Sequence, residues 1–176
     1  YVDGAATSKK IVRDVFEKGD QYFDSGDLLA LHEDRWLSFA DRAGDTFRWK
    51  GENVSTNEVA EILGGAPGVL EVNVYGVAVP GSEGKAGMAA LRVDANFDLA
   101  AFSDFAEQHL TRYQRPRFLR LLQGEMRVTS TFKLQKVAYR EEGFDPARTT
   151  DPLYLWHEGR YQSIDREFNA KIERGE

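Results

Sequence analysis

Val69-Leu70-Glu71-Val72-Asn73-Val74-Tyr75-Gly76-Val77-Ala78-Val79, a Pro80-Gly81 turn, and then Ala86-Gly87-Met88-Ala89-Ala90-Leu91-Arg92-Val93 form the stretch on which the fold turns. The first run alternates and is rich in β-branched residues, and the second repeats that texture, so the pair predicts a β-hairpin. Working outward, Asp98 to Tyr113 places Leu99, Phe102, Ala106 and Leu110 on one helical stripe, which Pro116 closes. Phe118 to Leu122 reads as a third strand, and Leu134 to Glu142 as a final helix ended by Gly143. Upstream, Phe47 to Lys50 reads as a short strand, and Ser55-Thr56-Asn57-Glu58 has capping-box spacing. The helix it starts is expected to run through Ile62-Leu63 and to stop at Gly64-Gly65, where a positive φ costs glycine little. The expected fold class is α+β: a small mixed sheet with helices packed on it, over residues 46–146.

The flanks are less regular. Ile11, Val12 and Phe16 recur at near-helical spacing and predict a short helix within residues 1–18. Tyr22 to Phe39 reads as short strands around turns, with Asp24-Ser25-Gly26-Asp27 as turn chemistry. Asp41 to Asp45 contains Gly44 and no apolar anchor except Ala43, which makes it the best boundary or hinge. At the other end Tyr161, Ile164, Phe168 and Ile172 form an apolar stripe expected to dock as a helix on its own protein.

Composition sets limits. With 176 residues, 41% hydrophobic and 12% aromatic, the chain can bury a real core and is not a disordered segment. Its 23 basic and 29 acidic residues give −6, which excludes a generally basic nucleic-acid binder or membrane coat. Zero Cys excludes disulfides, thiolate zinc sites and a cysteine nucleophile, and fits a reducing compartment. No run of apolar residues is long enough to read as a membrane span. The chain begins at Tyr1 without an initiator Met, and reads as cut from something longer. His32, His109 and His157 lack metal-ligand spacing, so no metal site is expected. Asn53-Val54-Ser55 matches a glycosylation triplet, but capping by Ser55 is the preferred reading.

Against the acidic background, residues 112–140 carry Arg112, Arg115, Arg117, Arg120, Arg127, Lys133, Lys136 and Arg140 against Glu125 alone. Such a segment suggests a site for a compact anion, or else ordinary solvated faces. Three short segments carry candidate chemistry. Tyr22-Phe23-Asp24-Ser25-Gly26-Asp27 presents a carboxylate on a tight turn, able to accept hydrogen bonds from a ribose diol, though such turns are more often structural. Asp41-Arg42-Ala43-Gly44-Asp45, followed by Phe47-Arg48-Trp49-Lys50-Gly51, offers a guanidinium fork for phosphate oxygens and a glycine along which a ligand could pass; the plainer reading is a surface turn and an edge strand. Thr129-Ser130-Thr131-Phe132-Lys133-Leu134-Gln135-Lys136 is a hydroxyl-rich loop that could deliver an ammonium to charge developing on an oxygen.

In order, spacing and flanks these segments resemble the C-terminal part of the acyl-adenylate-forming superfamily of acyl-CoA synthetases, luciferases and peptide-synthetase adenylation domains. Phe47 to Val54, Tyr113 to Leu119, Thr131 to Lys136 and Asp151-Pro152-Leu153-Tyr154 look like the fatty-acid transport protein group, the very-long-chain acyl-CoA synthetases. The resemblance implies that residues 1–41 end a large adenylation domain, 42–45 are the hinge, 46–146 the small mobile domain and 147–176 an extension with strand and helix. It implies nucleotide binding by Asp27 (ribose) and Arg42, catalysis of adenylate formation by Lys133, a hinge at Gly44, and a pantetheine path along Gly51. The implied substrates are a fatty acid, ATP and CoA, with Mg2+ entering with ATP and its ligands outside this chain. The implied partner is the large domain of the same protein, with no nucleic acid. The implied setting is cytoplasmic, with peripheral membrane association left open.

Three departures bear on this. Gly44 stands where the superfamily usually has Asp or Lys, which loses a side-chain latch. Phe132 replaces the usual Gly before the catalytic Lys and should stiffen that loop. The superfamily's phosphate loop is not among these residues, so the chain alone is expected to be inactive. Two alternatives stay open: a non-catalytic lipid-uptake or interaction module of the same fold, and an adenylating ligase whose acceptor is not CoA.

Overall fold

The structure, a computed structural model, describes residues 10–42, 46–126, 136–165 and 167. The chain divides into two compact units, Tyr1–Gly44 and Asp45–Glu176.

In the first unit, strand β1 (Ile11–Arg13) pairs antiparallel with β2 (Gln21–Phe23). The helix expected around Ile11, Val12 and Phe16 is therefore a hairpin. Its connection is held by carboxylates: Asp20 accepts the amides of Val15, Phe16 and Glu17 at 2.8, 2.9 and 3.0 Å, and Asp14 accepts that of Gly19 at 2.6 Å. These side chains take the N–H groups that a helix would have bonded to its own carbonyls. Strand β3 (Asp27–Leu31) pairs antiparallel with β4 (Leu37–Arg42), after a turn in which Asp24 accepts the Gly26 amide at 2.8 Å.

The second unit begins with β5 (Thr46–Trp49) and β6 (Glu52–Ser55), joined by a two-residue turn. Lys50 (φ 51°) and Gly51 (φ 89°) both take positive φ, the requirement of a type I′ hairpin. Ser55 then caps α1 (Thr56–Gly64), its hydroxyl accepting the Glu58 amide at 3.2 Å. The positive φ expected at its end is not there: Gly65 sits at −79° and closes the helix with amide bonds to Ile62 and Leu63.

Strands β7 (Val69–Ala78) and β8 (Lys85–Val93) form the expected antiparallel ladder. Helix α2 (Leu99–His109), capped by Asp98 on the Ala101 amide, crosses over to β9 (Phe118–Leu121), which runs parallel to β8. This helix stops short of the expected Tyr113, because Leu110 is extended and Arg115 donates to the carbonyls of Ala106, Glu107 and Leu110 at its end. After α3 (Val137–Glu142), ended by Gly143 at φ 57°, come β10 (Leu153–His157) and β11 (Arg160–Ser163). The sheet order is β11-β10-β9-β8-β7, a mixed sheet with helices, as expected. Residues 153–163 are two strands of that sheet rather than an appendage to it. Tyr161 opens no helix: it lies in β11, buried, with its hydroxyl donating to the Pro116 carbonyl at 2.7 Å. Phe168 and Ile172 lie outside the described residues.

What seats the β5–β6 hairpin is a pair of glycines. Gly76 and Gly87 face each other across the β7–β8 ladder, and a Cβ on either would lie 2.6 or 2.7 Å from Phe47. The Phe47 ring thus occupies the space two side chains would have filled, fixing the turn at Lys50-Gly51 against the sheet.

Candidate functional site

Of the residues the sequence singles out, Asp27 and Arg42 are direct cross-strand partners, the pair at one end of the β3–β4 register. Strand pairing alone brings that acid and that base to adjacent backbone positions. Lys133 and Gly44 lie outside the described residues. Gly51 occupies the second position of the β5–β6 turn, with nothing within 4 Å of where a Cβ would stand. Its positive φ gives it a structural reason to be glycine, and the open space around it leaves room for a ligand.

Beside that turn is a cleft of about 740 Å³ framed by two type I′ hairpins. One contributes Trp49, Lys50 and Glu52; the other, with Glu158 and Gly159 at φ 48° and 82°, contributes Trp156, His157 and Glu158. The floor comes from Glu107 at the end of α2 and from the α2–β9 connection, through Arg112, Tyr113, Arg115 and Arg117. Arg115 is already committed: it lies 4.4 Å from the centre of the Trp156 ring, 3.6 Å from Glu107, and on the α2 carbonyls. Trp156 is held edge-on to Tyr161, at 4.9 Å. Arg112, Arg117 and Lys50 are all exposed, and partial desolvation lowers the Arg117 pKa from its ordinary value. Cations beside ordered aromatic rings suit a ligand that carries phosphate and a planar base.

The basic segment thus divides. Arg112 and Arg117 face the cleft, whereas Arg120 is buried in ion pairs with Asp151 and Glu142. Burial opposes the Arg120 charge, but the bonds to Glu142 and Asp151 outweigh it and raise the pKa. Lys136 donates to the Thr56 hydroxyl at 2.9 Å. Trp156 and the second hairpin escaped sequence reasoning, although Glu158-Gly159 between His157 and Arg160 is a legible two-residue turn. Among the described residues no group of three or more His, Asp or Glu side chains could hold a metal ion.

Comparison with known proteins decides the family. Long-chain fatty acid transport protein 2 of Rattus norvegicus is 52% identical over 151 residues, covering 85% of this chain and 24% of that protein. The chain is a homologue of the long-chain fatty acid transport proteins. Long-chain fatty acid transport protein 1 of Mus musculus matches 100% of the chain at 48% identity, over 28% of its own length. The chain therefore spans about a quarter of the transport proteins it matches. Among solved structures, Mycobacterium tuberculosis fatty acyl CoA synthetase is 28% identical, with a TM-score of 0.55, covering 73% of this chain and 25% of that one. The mixed sheet with its helices is the fold of the C-terminal domain of adenylate-forming enzymes. No protein-family model matches the chain.

Proposed function

We propose that this chain is the smaller, mobile portion of an ATP-dependent long-chain or very-long-chain fatty acid–CoA ligase. The observation that carries the reading is the 52% identity, over 151 residues, to a long-chain fatty acid transport protein. In the proposed reaction a fatty carboxylate oxygen attacks the α-phosphate of ATP and pyrophosphate leaves. The CoA thiol then attacks the acyl carbonyl of the adenylate, and AMP leaves. Asp27 accepts from the ribose hydroxyls, Arg42 contacts the nucleotide, and the Lys133 ammonium offsets the negative charge that accumulates as two anions meet. Magnesium enters as part of the ATP substrate.

Rotation about Gly44 then withdraws Lys133 and presents Gly51, so one lobe serves both half-reactions. The cleft beside Gly51 supports this assignment: the phosphates of CoA would meet Arg112, Arg117 and Lys50 while pantetheine passes the turn. A poorly soluble acyl chain also makes peripheral contact between the longer protein and a membrane fit the reading; among the described residues no helix is long and apolar enough to cross one.

The cleft is tested with Arg112→Ala and Arg117→Ala in the full-length protein. Loss of a charge-assisted hydrogen bond, about 1.5–3 kcal/mol, raises the KM for CoA roughly tenfold or more, with the KM for ATP unchanged. An unmoved CoA KM in both variants overturns the cleft assignment, and with no dependence on CoA at all the acceptor is another nucleophile.

A further inference from the structure

Arg120, only 2% exposed, engages all three guanidinium nitrogens with two stretches of chain, one at Glu142 and one at Thr149 and Asp151. Its Nε donates to Asp151 Oδ2 at 2.7 Å, Nη1 to Glu142 Oε2, and Nη2 to the Thr149 hydroxyl at 2.7 Å. The face of the fork lies 5.0 Å from the centre of the Tyr139 ring on α3. Asp151 is shared as well: its Oδ1 accepts the backbone amide of Gln123 at 3.0 Å.

These contacts have a common address. The chain leaves β9 after Leu121 and passes Gln123; residues 127–135, Lys133 among them, separate this stem from Lys136, which immediately precedes α3. Asp151 holds the outgoing stem at Gln123, and Arg120 holds the returning stem through Glu142 and Tyr139. Lys136 adds a tie from the returning stem to buried Thr56, at the start of α1. A guanidinium bonded in three directions is a rigid joint that a lysine cannot replace, because an ammonium lacks the planar fork.

We propose that the Arg120–Asp151 pair is a positioning device for the first half-reaction, fixing both stems of the Lys133 segment so that the ammonium arrives in register with the carboxyl and the α-phosphate. This rests on the catalytic reading of Lys133 given above. Arg120 and Asp151 touch no substrate. Their influence is on geometry, to which adenylate formation is sensitive because misplacement by about an ångström can cost on the order of a hundredfold. Thioester formation needs Lys133 out of the way, so it tolerates a loosened stem.

The experiment uses the full-length protein and four variants: Asp151→Asn, Arg120→Lys, the milder Glu142→Gln as insurance against misfolding, and Lys133→Ala as reference. Fatty-acid-dependent ATP–pyrophosphate exchange reads the first half-reaction; thioester formation from supplied acyl-adenylate reads the second. The expected result is a fall of about tenfold or more in exchange for Asp151→Asn and Arg120→Lys. Glu142→Gln should fall less, and thioester formation should stay within about twofold in all three. If Lys133→Ala loses exchange while the clamp variants keep it, or lose both half-reactions equally, the positioning role is overturned and the catalytic reading stands. If Lys133→Ala itself keeps exchange, the catalytic reading fails and takes this inference with it.

Discussion

The two units of the chain hold their shapes by different means. Among the described residues, every buried hydrophobic residue of the core, from Phe47 to Ile164, belongs to the second unit, where a five-stranded sheet carries fully buried Tyr75, Met88, Leu91 and Phe118. The described part of the first unit has two two-stranded ribbons, on which several large apolar side chains face outward: Phe16 is 80% exposed, Trp36 74% and Leu31 71%. Isolated two-stranded ribbons are marginal in water, so local bonds such as those of Asp14 and Asp20 set their turns without supplying a core. Short-range hydrogen bonding can specify a shape that only burial can make stable.

The largest expected effect separates the two outright. Produced as separate pieces, residues 46–176 should give dispersed amide resonances and a cooperative melt, and residues 1–44 should give neither. A cooperative melt of the short piece would erase the contrast. Single substitutions sharpen it. Phe118 is fully buried and stacked 4.1 Å from Phe144, so Phe118→Ala should cost about 3–5 kcal/mol in a denaturant titration. Trp36→Ala should stay within about 0.5 kcal/mol, because the ring it removes is mostly in solvent.

The smallest effect is a titration. Desolvation works against the Asp20 charge, but hydrogen bonds from Glu17, Phe16, Val15 and Tyr22 together hold its pKa below the ordinary 3.8. A lowered folded pKa means the stabilisation is complete above the unfolded value and is lost as pH falls through the folded one. The amide shifts of Val15, Phe16 and Glu17 should therefore titrate with a midpoint below 3.8, while amides of the β7–β8 ladder hold steady over that range. A midpoint at or above 3.8 would contradict the turn geometry.

The same division explains what the sequence revealed. The β7–β8 hairpin, the Ser55 cap and the α2 stripe were legible because alternation, capping spacing and helical period are local signals. The β1–β2 hairpin was misread as a helix, since Ile11, Val12 and Phe16 carry a helical spacing that the Asp14 and Asp20 carboxylates override. Tyr161 was misplaced in a helix because its partner, Trp156, lies across a two-residue turn and its hydroxyl bonds Pro116, 45 residues back. In the candidate site, the excess of Arg from 112 to 120 was visible, but its allocation was not. Arg115 and Arg120 are structural and Arg112 and Arg117 line the cleft, a distinction that depends on where Glu107, Glu142 and Asp151 arrive in space.

The central claim is that one ammonium serves adenylation and is dispensable afterwards. Its most direct test is Lys133→Ala in the full-length protein, with both half-reactions measured on the same preparation. The account predicts that fatty-acid-dependent pyrophosphate exchange drops by about a hundredfold or more, while transfer from supplied acyl-adenylate to CoA proceeds at close to its original rate. Exchange at the original rate, or equal loss of both steps, would contradict it.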